Sequence, residues 1–114
     1  MRRSRHLPLM LLVAMDFVLP LTLSSADKGK QLADGTAVYK KNCNMCHYPD
    51  KTDKKLGPGL KDLFKNKELP QSHKPATEAV VREQIEKGSK TMPGFGKKLT
   101  SEDIDSLIEY LKTL

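Results

Sequence analysis

Cys43-Asn44-Met45-Cys46-His47 constrains this 114-residue chain more tightly than any other stretch. The spacing C-x-x-C-H is the attachment pattern of a c-type haem. In that chemistry two thiols add across the vinyl groups of one haem, and the neighbouring histidine turns its imidazole onto the iron. Three groups within five residues set the plane, tilt and ligation of the cofactor. Two other chemistries use similar residues. A dithiol–disulfide redox pair is expected beside a βαβ pattern, which this sequence lacks. A zinc site needs about four ligands in tetrahedral geometry; His73 is a candidate fourth, but consecutive Cys46 and His47 would strain the arrangement. The pattern points to haem.

The N-terminus reads as an address rather than as part of the fold. Met1-Arg2-Arg3-Ser4-Arg5 precedes an apolar stretch from Leu7 to Leu23, and Ser24-Ser25-Ala26 places small residues before a cleavage point after Ala26. That order is a secretory signal peptide. Asp16 and Pro20 interrupt the apolar run, which argues against a permanent span of roughly 20 clean apolar residues. The length overlaps the lower limit of such a span, so an uncleaved anchor is the alternative. Residues 1–26 are read as the signal and 27–114 as one exported domain, with the periplasm as its compartment.

A domain this small buries a limited core and benefits from a staple. Both cysteines of the chain lie in the motif, so no disulfide framework exists and a haem would supply apolar core instead. Asp27 to Asn42 is expected to be a helix with Leu32, Gly35 and Tyr39 along one side. Gly35 costs about 1 kcal/mol against Ala in a helix interior, and such a glycine often marks the close approach of another backbone. The partner expected there is a helix from Ser101 to Lys112. Its Ile104, Leu107, Ile108 and Leu111 recur with helical spacing, with Thr100 as N-cap, Asp103 completing a capping box and Tyr110 beside the crossing. Thr77 to Lys87 reads as a third helix, with Val80, Val81 and Ile85 inward, Thr77 as N-cap and Gly88 as terminator. Leu60 to Lys65 reads as a brief helical turn using Leu60, Leu63 and Phe64. No alternating strand pattern and no repeat is present. The fold class is all-α: three main helices plus a short helical turn wrapped around one covalently bound haem, with long loops tolerated because they enclose it.

The second axial position calls for a thioether or an imidazole. Met1, Met10 and Met15 leave with the signal, and Met45 is held inside the attachment loop. Met92 remains, in Thr91-Met92-Pro93-Gly94-Phe95-Gly96, on a Pro/Gly loop that can hold an irregular backbone. A methionine is more often a core filler, but this one is off any helical stripe. His73 is the fallback ligand, with a solvated loop position as its plainer role. Residues 27–114 carry 17 Lys and Arg against 13 Asp and Glu. Lys40, Lys41, Lys90, Lys97 and Lys98 lie near the motif or Met92, suiting either a docking ring for an acidic partner or an ordinary solvated surface. Nucleic-acid binding is not expected, because acids are interspersed and base-stacking aromatics are missing.

These residues resemble the class I c-type cytochromes over nearly all of 27–114. Gly35-x-x-x-Tyr39-x-x-x-Cys43-x-x-Cys46-His47 matches the family's first helix and haem site in spacing. Leu56-Gly57-Pro58-Gly59-Leu60 is similar to the segment after that site, and by this match the Pro58 carbonyl accepts a hydrogen bond from His47. Met92-Pro93-Gly94-Phe95 looks like the sixth-ligand loop of bacterial members, and Leu107 with Tyr110 like the helix crossing. The absence of Trp and the short middle region depart from the longer mitochondrial type. The resemblance implies haem c held by Cys43 and Cys46, iron ligated by His47 and Met92, and no open position for a substrate. It implies a monomeric, soluble one-electron carrier between redox proteins rather than an enzyme. The alternatives are a dedicated haem subunit of a periplasmic dehydrogenase complex and a gas or redox sensor with a displaceable Met92.

Overall fold

The computed structural model describes residues 24–114. The signal-peptide reading therefore falls almost wholly outside the described residues. Three helices make the frame: α1 (Ser25–Asn42), α2 (Glu78–Lys87) and α3 (Ser101–Leu111), with a 3-10 turn at Leu63–Lys65 between α1 and α2. Among the described residues there is no strand, only an isolated bridge between Glu68 and Pro75. The all-α expectation holds.

Helix α1 starts at Ser25, two residues before the expected Asp27. Asp27 in its first turn and Lys40 and Lys41 in its last complement the helix dipole. Its buried residues are Gly35 and Tyr39, while Leu32 is only half-buried. Helix α3 is capped as its sequence dictates. Thr100 Oγ1 accepts from the Asp103 amide at 3.1 Å, and Asp103 Oδ2 accepts from the Thr100 amide at 3.0 Å. Its buried face is Ile104, Leu107, Ile108 and Leu111, with Ser106 among them. Lys112 is the C-cap rather than the last helical residue.

The two helices cross at Gly35. A β-carbon there would lie 2.0 Å from the Ser106 carbonyl oxygen and 2.9 Å from Tyr110 Cβ. Only a hydrogen fits, which explains the costly residue. Tyr39 and Tyr110 meet beside the crossing with ring centroids 5.2 Å apart and tilted by 53°, a favoured aromatic geometry.

Helix α2 follows its N-cap, Thr77, whose side chain accepts from the Val80 amide at 3.3 Å, and ends at Gly88 with φ 69°. Val81 and Ile85 face the core, and Val80 is half-buried. Arg82 pairs with Asp105, and Lys112 with Glu78 at 2.7 Å, so ion pairs bridge α2 to the middle and the C-cap of α3. Tyr39, Leu63, Leu69, Val81, Ile85 and the α3 face form one buried cluster. Most of its members are helical; the 3-10 turn brings in Leu63 and the loop after it Leu69.

Candidate haem site

The last turn of α1 runs straight into the attachment segment. Cys43 and Asn44 amides both donate to the Tyr39 carbonyl, at 2.8 and 3.1 Å, and the Cys46 and His47 amides both donate to the Cys43 carbonyl at 3.0 Å. The chain thus coils once more after the helix and brings both thiols and the imidazole to one side. Two further bonds lock the turn: the Tyr39 hydroxyl donates to the His47 carbonyl at 2.7 Å, and the Gly57 amide donates to the Cys46 carbonyl at 2.7 Å.

His47 Nδ1 lies 2.7 Å from the Pro58 carbonyl oxygen. A carbonyl only accepts, so Nδ1 carries the proton and Nε2 keeps a free lone pair, the tautomer a metal requires. Gly57 makes room for the ring: a β-carbon there would sit 2.4 Å from His47 Cε1. Gly59 is likewise compelled, since its β-carbon would fall 2.0 Å from the Lys51 carbonyl oxygen.

Met92 is carried on a loop folded back against the end of α2. The Phe95 amide donates to the Ile85 carbonyl at 2.8 Å and the Gly96 amide to Glu86 at 3.1 Å. These bonds occupy carbonyls that a helix C-terminus leaves open. The Ser89 amide donates to the Met92 carbonyl at 2.8 Å, and Ser89 Oγ accepts from the Met92 amide at 3.3 Å. Gln84 Nε2 lies 3.6 Å from Met92 Sδ and donates to it.

Cys43, Cys46, His47, Pro58 and Met92 all line one cavity of about 350 Å³. Its remaining wall is largely apolar, including Leu60, Leu63, Leu69, Val81, Ile85, Leu107 and Leu111. Two thiols, one imidazole and one thioether on an apolar wall fit haem c: soft and imidazole donors for iron, and carbon surface for the macrocycle. The thiol-redox alternative fits poorly. Burial, with Cys46 adding to it, pushes the Cys43 thiol up to about 11, whereas a redox-active cysteine needs a lowered value. The zinc alternative fails on geometry. Among the described residues no group of three or more His, Cys, Asp and Glu is placed to hold a metal ion.

His73, the fallback ligand, does not line the cavity. It sits with φ 54° on an exposed loop, 3.5 Å from Glu68. Of the five lysines expected near the site, Lys90 lines the cavity, while Lys41 and Lys98 line a separate groove between α1 and the start of α3. Sequence reasoning missed Gln84, the Tyr39 hydroxyl contact and the need for Gly57. The first lies eight residues from Met92, on a helix whose polar positions look alike in sequence. The second had a signal, because a tyrosine buried at a helix crossing must find a partner for its hydroxyl.

Comparison with known proteins shows the family. Residues 30–111 match the family described as cytochrome C oxidase, cbb3-type, subunit III. The chain is 33% identical over 78 residues to a cytochrome c6 of Microcystis aeruginosa, covering 68% of this chain and 90% of that one. It is 29% identical to a cytochrome c6 of Pyropia tenera, over 70% of this chain and 88% of that protein. A cytochrome c6 of Thermosynechococcus vestitus is 28% identical over 86% of this chain and 83% of its own. With a family match across most of its length and a haem-fitting cavity built around Cys43, Cys46 and His47, this chain belongs to the class I c-type cytochromes and binds haem c.

Proposed function

We propose that this protein is an exported, soluble, single-haem carrier that passes one electron at a time between redox proteins. Its working form begins at Asp27, after removal of residues 1–26, and it has no catalytic residue. Cys43 and Cys46 form the two thioethers, His47 ligates iron through Nε2, and Met92 ligates it through Sδ. When bound, haem c supplies a single Fe(III)/Fe(II) couple.

The chain's own residues tune and protect that couple. Pro58 holds the Nδ1 proton of His47, which fixes the ring and raises the basicity of the other nitrogen. Gln84 steadies the Met92 thioether from α2. The apolar wall keeps water from the centre, and burial together with a thioether ligand raises the potential. Among the described residues no helix is long and apolar enough to cross a membrane.

The observation that carries the reading is the convergence of Cys43, Cys46, His47 and Met92 on one apolar cavity. Mass spectrometry and voltammetry of the exported protein test it. The expected product begins at Asp27, is heavier than the bare peptide by one haem and gives one reversible one-electron wave; Cys43→Ala/Cys46→Ala is colourless. A native protein of bare-peptide mass, without a redox wave, overturns it.

A further inference from the structure

The wall of the haem cavity is polar in one place only. Next to Cys43, Cys46 and His47 in sequence it is built by Leu56, Gly57, Pro58 and Leu60, none of which offers a polar side chain. Its polar side chains, apart from the thiols and the imidazole, are Gln71, Ser72, Gln84, Ser89, Lys90 and Thr91. Gln84 is already engaged, donating to Met92 Sδ at 3.6 Å. The other five sit on two loops, at 71–72 and 89–91. Among the described residues on this wall, Lys90 is the one cationic side chain besides the histidine, and no carboxylate accompanies it.

Both loops are tied down. In the first, the Leu69 amide donates to the Lys74 carbonyl at 2.8 Å, and the His73 amide to the Leu69 carbonyl at 3.1 Å. Residues 70–72 are therefore the tip of a closed turn. Ser72 Oγ accepts from the Lys74 amide at 3.4 Å, which leaves its own proton to donate. In the second loop, Ser89 and Met92 hold each other twice. The Ser89 amide donates to the Met92 carbonyl at 2.8 Å, and the Met92 amide to Ser89 Oγ at 3.3 Å. Lys90 and Thr91 are the two residues enclosed. Gly88 closes the base, where a β-carbon would lie 2.4 Å from the Met92 carbonyl oxygen. Whatever holds Lys90 therefore also holds Met92.

Haem carries its vinyl groups on one edge and its two propionates on the opposite edge. With the vinyl edge bonded to Cys43 and Cys46, the carboxylates point away from the attachment turn and need donors or a cation there. We propose that Gln71 and Ser72 on one loop, and Lys90 and Thr91 on the other, seat the haem propionates, with the Lys90 ammonium paired to one carboxylate and so clamping the loop that carries Met92. The inference rests on the haem carrier proposed above and names the residues that hold the far edge of its cofactor. Lys90 is a positioning residue, acting on the iron through a propionate and through Met92. Its charge also disfavours Fe(III) over Fe(II), which keeps the potential up.

Two measurements on the haem-loaded protein test this. In the ferrous form, nuclear Overhauser contacts from the propionate methylenes are expected to reach Gln71 or Ser72 on one loop and Lys90 or Thr91 on the other. Contacts to residues 54–61, or to neither loop, overturn the seating. The second measurement reads the potential and the affinity of the ferric protein for imidazole, which competes with Met92. Lys90→Gln is expected to lower the potential and to raise imidazole affinity about fivefold. Lys90→Arg keeps the charge and is expected to stay near the parent in both. Lys97→Gln makes the same charge change on the same loop but off the cavity wall, and is expected to alter the affinity less than about twofold. Equal effects from Lys90→Gln and Lys97→Gln, or an unchanged imidazole affinity in Lys90→Gln, sink the proposal. A protein that cycles one electron reversibly yet fails these tests loses only the clamp; one that carries no haem loses the carrier function itself.

Discussion

The hydroxyl of Tyr39, buried where α1 crosses α3, donates to the main-chain carbonyl of His47 at 2.7 Å. One side chain thereby ties the helix crossing to the turn that presents the haem-facing imidazole. Burial also pushes its phenol well above the ordinary tyrosine range, so it stays a protonated donor at any working pH.

Tyr39→Phe keeps the ring and removes that donor. The His47 carbonyl then loses its partner, at a cost of about 1–2 kcal/mol. Guanidinium unfolding of the haem-loaded protein should show a lower midpoint with an unchanged slope. An unaltered midpoint means that water replaces the hydroxyl freely.

Two glycines of α1 should respond in opposite directions. A β-carbon at Gly29 meets nothing within 4 Å, whereas one at Gly35 strikes the Ser106 carbonyl at 2.0 Å. Gly29→Ala is expected to be neutral or to stabilise by up to about 1 kcal/mol through helix propensity. Gly35→Ala should destabilise by about 2 kcal/mol despite the same propensity gain, because the two backbones must separate. Thermal melts of both variants decide it, and equal changes contradict the crossing.

Met92→Ala removes the thioether from the cavity. The ferric sulfur-to-iron band in the near red should disappear, carbon monoxide should bind the ferrous form, and the potential should fall. A spectrum and potential like those of the parent assign the sixth ligand elsewhere.

Gln84→Val tests the contact at Met92 from the other side. Losing a weak hydrogen bond to sulfur makes the thioether a slightly better donor to Fe(III), which lowers the potential. The donated N–H also turns the positive end of the amide dipole toward the sulfur, so removing it favours the more highly charged ferric state and lowers the potential further. The contact is long, at 3.6 Å, so the fall should be no more than some tens of millivolts. Protein-film voltammetry reads the sign directly; a rise shows that the contact does not act on the iron in this way.

Thr100→Ala removes one half of a capping box whose two bonds are both formed. A loss of about 1 kcal/mol is expected. Because α3 supplies Leu107 and Leu111 to the cavity wall, the melting of that helix and the loss of native visible absorbance should coincide.

Local rules carried much of this protein without tertiary information. The attachment pattern at Cys43–His47, the caps at Thr77 and Thr100, the terminator Gly88 and the buried stripe of α3 are all short-range, since each depends on residues within one or two helical turns. Even the close approach at Gly35 could be anticipated, because a glycine inside a helix has a known cost and needs a reason. Contacts between segments far apart in sequence were decided by packing alone. Nothing in the order of residues announces that Gln84 reaches the Met92 sulfur, that Gly57 clears space for the His47 ring, or that residues 55–57 lie against 44–46 to leave Met45 and Leu56 together in water. Charge shows the same division. Composition reports a surplus of positive residues, but only the fold settles which lysines find acids and which face outward. The physical reason is distance: periodicity and capping act over a few ångströms along one chain, whereas a surface forms only when separate loops are folded together.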